Sequence, residues 1–301
     1  MLEDLHPFKR HFLDRNGHQL HFVNEGVGEP VVMVHGNPSW SFYYRNLITK
    51  LSGEYQCIVP DHIGCGLSDK PNDVDYDYTL KSRIDDLEAL LDSLSVKQDI
   101  TLVVHDWGGM IGMGYAARYP DRIKRLVVLN TGAFHLPQEK AFPWPLWVCR
   151  NTLLGSVLVR GFNAFSSIAS YVGVKRKPMA PAIRKAYVAP FNSWANRIST
   201  LRFVQDIPLV KGDRNYELVS EISESLSQFN DIPMVICWGL KDFVFDKHFL
   251  AEWRTRFPQA QVHEFADCGH YILEDATEEV VNHIDAFMSA NPIKTDTVTA
   301  A

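Results

Sequence analysis

Residues 102–109, Leu-Val-Val-His-Asp-Trp-Gly-Gly, constrain this chain more than any other stretch. A run rich in β-branched residues reads as a buried strand, and it stops abruptly at two glycines. The apolar, alanine-containing segment 110–119 that follows reads as a helix. One side chain, Asp106, is left at the corner. This is the layout of a nucleophile elbow, in which a tight turn lifts one reactive group above a parallel sheet. Helix and strand must pack closely there, so small residues are needed. Gly108 meets that need, whereas Val104 stands where a first glycine is usual. An ordinary strand-to-helix turn with a capping Asp would look the same, so the rest of the chain has to decide.

The surrounding rhythm supports a sheet. Residues 8–13 and 19–23 flank Asn16-Gly17, a strong hairpin signal. Short strands are then expected at 30–34, 56–60, 102–106, 123–129, 234–238 and 261–265, with helices between them. Alternation of this kind predicts an α/β fold, a mainly parallel sheet with helices on both faces. Between 133 and 226 the pattern turns helical and irregular, rich in aromatic residues and broken by prolines. This segment reads as a helical cap inserted between a first core part, 1–132, and a second, 227–292, with 293–301 as a polar, flexible tail.

Composition excludes several classes. With 36 acidic and 30 basic residues the net charge is −6, and no basic stripe suited to nucleic acid is evident. The N-terminus lacks the basic and apolar regions of a signal peptide, and no apolar run reaches the roughly 20 residues that span a bilayer. Five scattered cysteines without a C-x-x-C pair suggest neither a zinc site nor a disulfide framework. The expectation is a cytoplasmic protein with no integral membrane segment, no metal and no cofactor.

An acid and a base placed after later strands would turn the elbow from a possibility into a site. Asp242, in Gly239-Leu240-Lys241-Asp242, follows the strand at 234–238, and His270, in Cys268-Gly269-His270, follows the last strand. The order nucleophile, acid, histidine is that of the α/β-hydrolase architecture. A carboxylate with an ordinary pKa of about 3.9 is ionised at neutral pH and attacks without a base. It would form an ester with an alkyl carbon or an anhydride with an acyl carbon. His270 would activate water for a second step, with Asp242 holding its tautomer. Asn37 and Trp107 would supply side-chain N–H donors to a leaving anion, or backbone N–H groups to an oxyanion. In the cap, Trp144, Phe165, Phe191 and Trp194 are candidate walls of an apolar substrate pocket, and Tyr171 or Tyr187 candidate lid donors to an epoxide oxygen.

On His35-Gly36-Asn37-Pro38, His105-Asp106-Trp107-Gly108-Gly109, Gly239-Leu240-Lys241-Asp242 and Cys268-Gly269-His270, the chain resembles the haloalkane dehalogenase branch of the α/β-hydrolases over residues 8–293. The resemblance implies Asp106 as nucleophile, His270 as the histidine, and Asn37 with Trp107 as halide-binding donors. Some members carry the acid as a Glu after the sixth strand; Asn130 occupies that place here, so the acid maps to Asp242. Segments 60–71, 162–167, 190–197 and 238–246 resemble a dehalogenase-like subgroup, the β-lactone decarboxylases of bacterial long-chain olefin biosynthesis.

This closer resemblance implies a cis-3,4-dialkyl-oxetan-2-one substrate with long alkyl chains, a cis-olefin and CO₂ as products, and association with other enzymes of that pathway. Attack at the β-carbon and attack at the carbonyl both fit the residues. Hydrolytic dehalogenation, then epoxide hydrolysis, are the alternative activities. A binding module without turnover is the alternative from outside enzymology.

Overall fold

A computed structural model describes residues 2–293 of the 301, so the expected tail beyond Ile293 lies outside the described residues. Eight strands carry the architecture: β1 (His11–Arg15), β2 (His18–Glu25), β3 (Pro30–Val34), β4 (Gln56–Pro60), β5 (Ile100–Asp106), β6 (Ile123–Thr131), β7 (Met234–Gly239) and β8 (Gln261–Phe265). They form one sheet in the order β1-β2-β4-β3-β5-β6-β7-β8. All neighbouring pairs from β4 to β8 are parallel, and β2 runs against both of its neighbours. The β1–β2 hairpin turns on Asn16 (φ +55°) and Gly17 (φ +87°). Two successive positive φ values suit the right-handed strand twist, which is why Asn-Gly marks such turns.

Helices cover both faces because the central strands are apolar on both. Alternate residues point to opposite sides. Val32, Val34, Leu102, Val104, Leu126 and Val128 enter one core. Val31, Met33, Val103, Val127 and Leu129 enter the other. The N-terminal side contributes α1 (Leu2–Leu5), α2 (Arg45–Leu51), α3 (Leu80–Ser93) and α4 (Gly108–Arg118). Between β6 and β7 lie α5 (Trp144–Asn151), α6 (Leu153–Ser156), α7 (Ala164–Val172), α8 (Pro181–Val188), α9 (Ile198–Gln205) and α10 (Tyr216–Ser225). The remaining helices are α11 (Lys247–Arg256), α12 (Ile272–Asp275) and α13 (Thr277–Ala290).

Two expectations shift. Helix α4 starts at Gly108, two residues earlier than the sequence suggested, because both glycines adopt helical geometry against β3 and β6. A Cβ on Gly108 would lie 1.9 Å from the Val34 carbonyl oxygen, and one on Gly109 would lie 2.1 Å from Thr131 Oγ1. Helix α10 packs on α4, with Val219 and Ile222 inside the core cluster. The segment expected to be cap up to residue 226 therefore rejoins the core layer near Tyr216.

Backbone cannot retreat from a carbonyl as a flexible side chain would. Gly108→Ala is therefore expected to destabilise the protein by roughly 1–3 kcal/mol, the usual cost of overpacking. It should appear as a lower urea midpoint at unchanged slope. An unaltered midpoint would mean that the close approach of α4 to β3 is not required.

Candidate active site

The elbow forms as the sequence suggests. Asp106 ends β5 with φ +53°, in the left-handed region, and the Thr131 hydroxyl donates to its backbone carbonyl. A side chain at Gly36 would collide with the Asp106 carboxylate, its Cβ falling 1.9 Å from Oδ1. Glycine there lets the next backbone N–H, that of Asn37, donate to Oδ1 at 2.5 Å. The Trp107 backbone N–H, next in the chain, also favours the charged form of this carboxylate. One oxygen is thus held by main chain, while Oδ2 lies 3.6 Å from His270 Nε2.

His270 and Asp242 meet as expected. His270 Nδ1 donates to Asp242 Oδ2 at 2.8 Å, and Asp242 is buried. Asp242 Oδ1 accepts from the Val244 N–H at 2.8 Å, and Oδ2 also accepts from Asn130 Nδ2 at 3.1 Å. Asn130, at the end of β6, further accepts from the Gly239 N–H and donates to the Gly239 carbonyl. It therefore clamps the end of β7 from which Asp242 projects.

His105 is a positioning residue that the sequence reading passed over. Its ring stacks on Tyr43, and its Nε2 donates to the His270 carbonyl at 2.9 Å. Burial holds its pKa well below the usual histidine value, so the ring is neutral. The available signal was a polar side chain inside an otherwise apolar strand. Such a residue needs a partner.

Burial is the largest influence on both reactive groups. It raises the Asp106 carboxyl to about 6, against the opposing pull of His270 and the Asn37 and Trp107 N–H groups. For His270, burial opposes the charged ring, but the charge and hydrogen bond of Asp242, with Asp106 behind them, outweigh it and raise its pKa. Asp106 is consequently a weaker acid than the unperturbed carboxylate assumed from sequence, though it remains mostly ionised at neutral pH.

The carboxylate faces a cavity of about 580 Å³. Asn37, Asp106, Trp107 and His270 form its polar end, and Phe134, Phe142, Phe243, Phe245 and Phe249 supply much of the aromatic remainder. Of the expected walls, Trp144 and Phe165 line this cavity. Phe191 and Trp194 do not. Phe191 is fully buried inside the cap, where its carbonyl accepts from Asn163 and Arg197, and Trp194 is half exposed beneath the Arg160 guanidinium. Tyr171 is on the surface against Arg184, and Tyr187 spends its hydroxyl on Glu274. No tyrosine among the described residues lines the cavity, so the lid-donor arrangement expected for an epoxide is absent.

The expected anion donors differ in detail. Asn37 Nδ2 already donates to the Thr200 carbonyl at 3.1 Å, which ties α9 to the core and leaves one amide hydrogen. Trp107 packs on Phe203 and lines the cavity, with no protein acceptor for its indole N–H among the described residues. No three His, Cys, Asp or Glu side chains cluster as a metal site would require, again among the described residues. No described helix is long and apolar enough to cross a membrane. The arrangement can deliver a carboxylate oxygen to an electrophilic carbon in an apolar space and receive an anion beside it.

Comparison with known proteins shows the family and the fold. A family model described as alpha/beta hydrolase fold matches residues 29–277. A cis-3-alkyl-4-alkyloxetan-2-one decarboxylase of Shewanella oneidensis is 78% identical over 96% of this chain and 91% of its own. A second protein of that name, from Xanthomonas campestris, is 52% identical over 93% and 95% of the two chains. Among solved structures, a haloalkane dehalogenase of Agrobacterium tumefaciens superposes with a TM-score of 0.84 over 94% and 97% at 24% identity, a likeness of fold.

Proposed function

We propose, from the premise that this chain belongs to the α/β-hydrolase fold family, that it is a decarboxylase of cis-3,4-dialkyl β-lactones with Asp106 as its nucleophile. The observation that carries the reading is the divided Asp106 carboxylate. One oxygen accepts from the Asn37 main-chain N–H, and the other sits beside His270 at the polar end of an apolar cavity. Two relatives named as decarboxylases of this substrate class, at 78% and 52% identity, support it.

In the route favoured here, Asp106 Oδ2 attacks the ring β-carbon with inversion. The carbon–oxygen bond of the lactone breaks, and its electron pair leaves on a carboxylate still tethered through the α-carbon. The remaining amide hydrogen of Asn37 and the Trp107 indole N–H suit that carboxylate. In the second step the bond between the α-carbon and the carboxylate breaks and CO₂ departs. The freed pair becomes the alkene π bond, and the ester bond breaks to restore the Asp106 carboxylate. Inversion followed by anti elimination turns a cis-lactone into a cis-alkene. No proton and no water is consumed. The alkyl chains lie against the aromatic wall, which excludes solvent from the ester.

Gas chromatography of the purified protein with a cis-dialkyl β-lactone is expected to show the cis-olefin. A single turnover in ¹⁸O-water is expected to leave the Asp106 peptide unlabelled, because no water reaches its carbonyl carbon. Stoichiometric label in Asp106 would reject the water-free route. Halide and alcohol from a 1-haloalkane, with the lactone untouched, would replace the proposed substrate by that of a hydrolytic dehalogenase.

The acid limb of the pH profile follows from the same carboxylate. Attack needs the ionised form, and burial places its pKa at about 6. Below that value kcat/KM should fall tenfold per pH unit, and above it the profile should level. Stopped-time assays from pH 5 to 8 check this. A profile flat down to pH 5 would show that Asp106 titrates as an ordinary carboxylate.

A further inference from the structure

The cap carries two unusual exposed surfaces away from Asp106 and His270, and they adjoin. The first is an apolar ridge along α5, α6 and the turn after them, with Trp144 77%, Leu153 87% and Phe162 74% exposed, and Trp147 and Leu154 more than half so. Soluble proteins rarely expose contiguous apolar surface of this kind without a partner for it. Trp144 also lines the catalytic cavity, so the ridge runs into the cavity wall.

The second surface is basic. Between residues 133 and 215 there are twelve Lys and Arg but only three Asp and Glu, in a chain where acidic residues outnumber basic ones, 36 to 30. A groove of about 500 Å³ is lined by Arg184, Lys185 and Arg197 together with Asn163, Ser167 and Tyr171. Arg197 donates to the Arg160 and Gly161 carbonyls, and the Arg160 guanidinium lies 4.7 Å over the Trp194 ring. Groove and ridge therefore meet at Arg160 and Trp194. None of these four cations pairs with a carboxylate among the described residues, whereas Arg150, Arg176 and Arg202 do.

We infer that this face of the cap docks on a phospholipid surface bearing anionic headgroups. Tryptophan and leucine of the ridge would enter the headgroup–acyl boundary, and the unpaired cations would meet the phosphates. The opposite charge of the rest of the chain turns this face toward an anionic bilayer and the others away. Because Trp144 belongs to both ridge and cavity, an apolar ligand could pass between bilayer and cavity without crossing water. The docking rests on exposed surface alone and does not depend on which reaction Asp106 performs.

The test is co-sedimentation of the full chain with vesicles of phosphatidylcholine alone or with about one third phosphatidylglycerol. The expected result is at least tenfold more bound protein with the anionic vesicles, and release as salt rises. Two double variants probe the two surfaces, Leu153→Glu with Leu154→Glu, and Arg184→Glu with Lys185→Glu. Each is expected to lower binding at least tenfold while the circular-dichroism melt stays that of the wild type. Wild-type protein left in the supernatant by anionic vesicles would overturn the inference, as would double variants that sediment like it. A dimer that the leucine variant dissociates, without lipid binding by the wild type, would instead assign the ridge to a second copy of this chain.

Discussion

Asp106→Asn is expected to lower olefin formation by at least about ten-thousandfold, the scale on which loss of a nucleophile is felt, and to make the protein more stable at neutral pH. Asparagine fits the same volume and tolerates a left-handed backbone, so φ +53° is not strained. Its stability effect follows from linkage. Burial raises the folded carboxyl from 3.8 to about 6, so the native state binds this proton more readily than the unfolded chain. The cost of holding the charge is therefore absent below about pH 4, grows as pH rises through 6, and is complete at 7. At about 1.4 kcal/mol per pH unit, it amounts to roughly 3 kcal/mol. Thermal melts of both proteins from pH 4 to 8 should show the variant ahead at pH 7 and the gap closing toward pH 4. An inactive variant that melts earlier at pH 7 would mean that activity was lost through misfolding.

What the sequence disclosed and what it hid divide along physical lines. Asp106, Asp242 and His270 were legible because each stands at or a few residues beyond the C-terminal end of a strand, and strand ends on one side of a parallel sheet converge. The role of Asn130 emerges only when β6 lies beside β7, so that its amide reaches both Gly239 and Asp242. Aromatic residues of the cap could be recognised but not aimed. Phe165 faces the cavity and Phe191 fills the cap interior, although both are aromatic residues in one helical segment. The spacing of Val219 and Ile222 announces an apolar face on α10 without saying that α4 receives it. Nor does any pattern reveal that the Asn37 amide is half committed to Thr200, a residue 163 positions away.

His270→Ala is the second variant with a large expected effect, and it separates decarboxylation from hydrolysis on one protein. His270 is the largest of the influences that keep Asp106 ionised against burial. Without it the carboxyl pKa rises above about 6, so the acid limb of the lactone reaction should move to higher pH, with part of the rate recovered there. The ester formed from a β-lactone carries its own leaving carboxylate, and its breakdown to olefin and CO₂ needs no base. Quenched samples should therefore hold little adduct on the Asp106 peptide while olefin still forms. The ester from a 1-haloalkane has nothing to expel, and its hydrolysis loses the base that His270 provides, a factor of about 10²–10⁴ for general-base catalysis. In that case the peptide should accumulate one alkyl group per protein. Mass analysis of the same peptide after each substrate decides the matter. A stoichiometric adduct with the lactone would show that its second step also waits on water activated by His270, and the elimination route would fall.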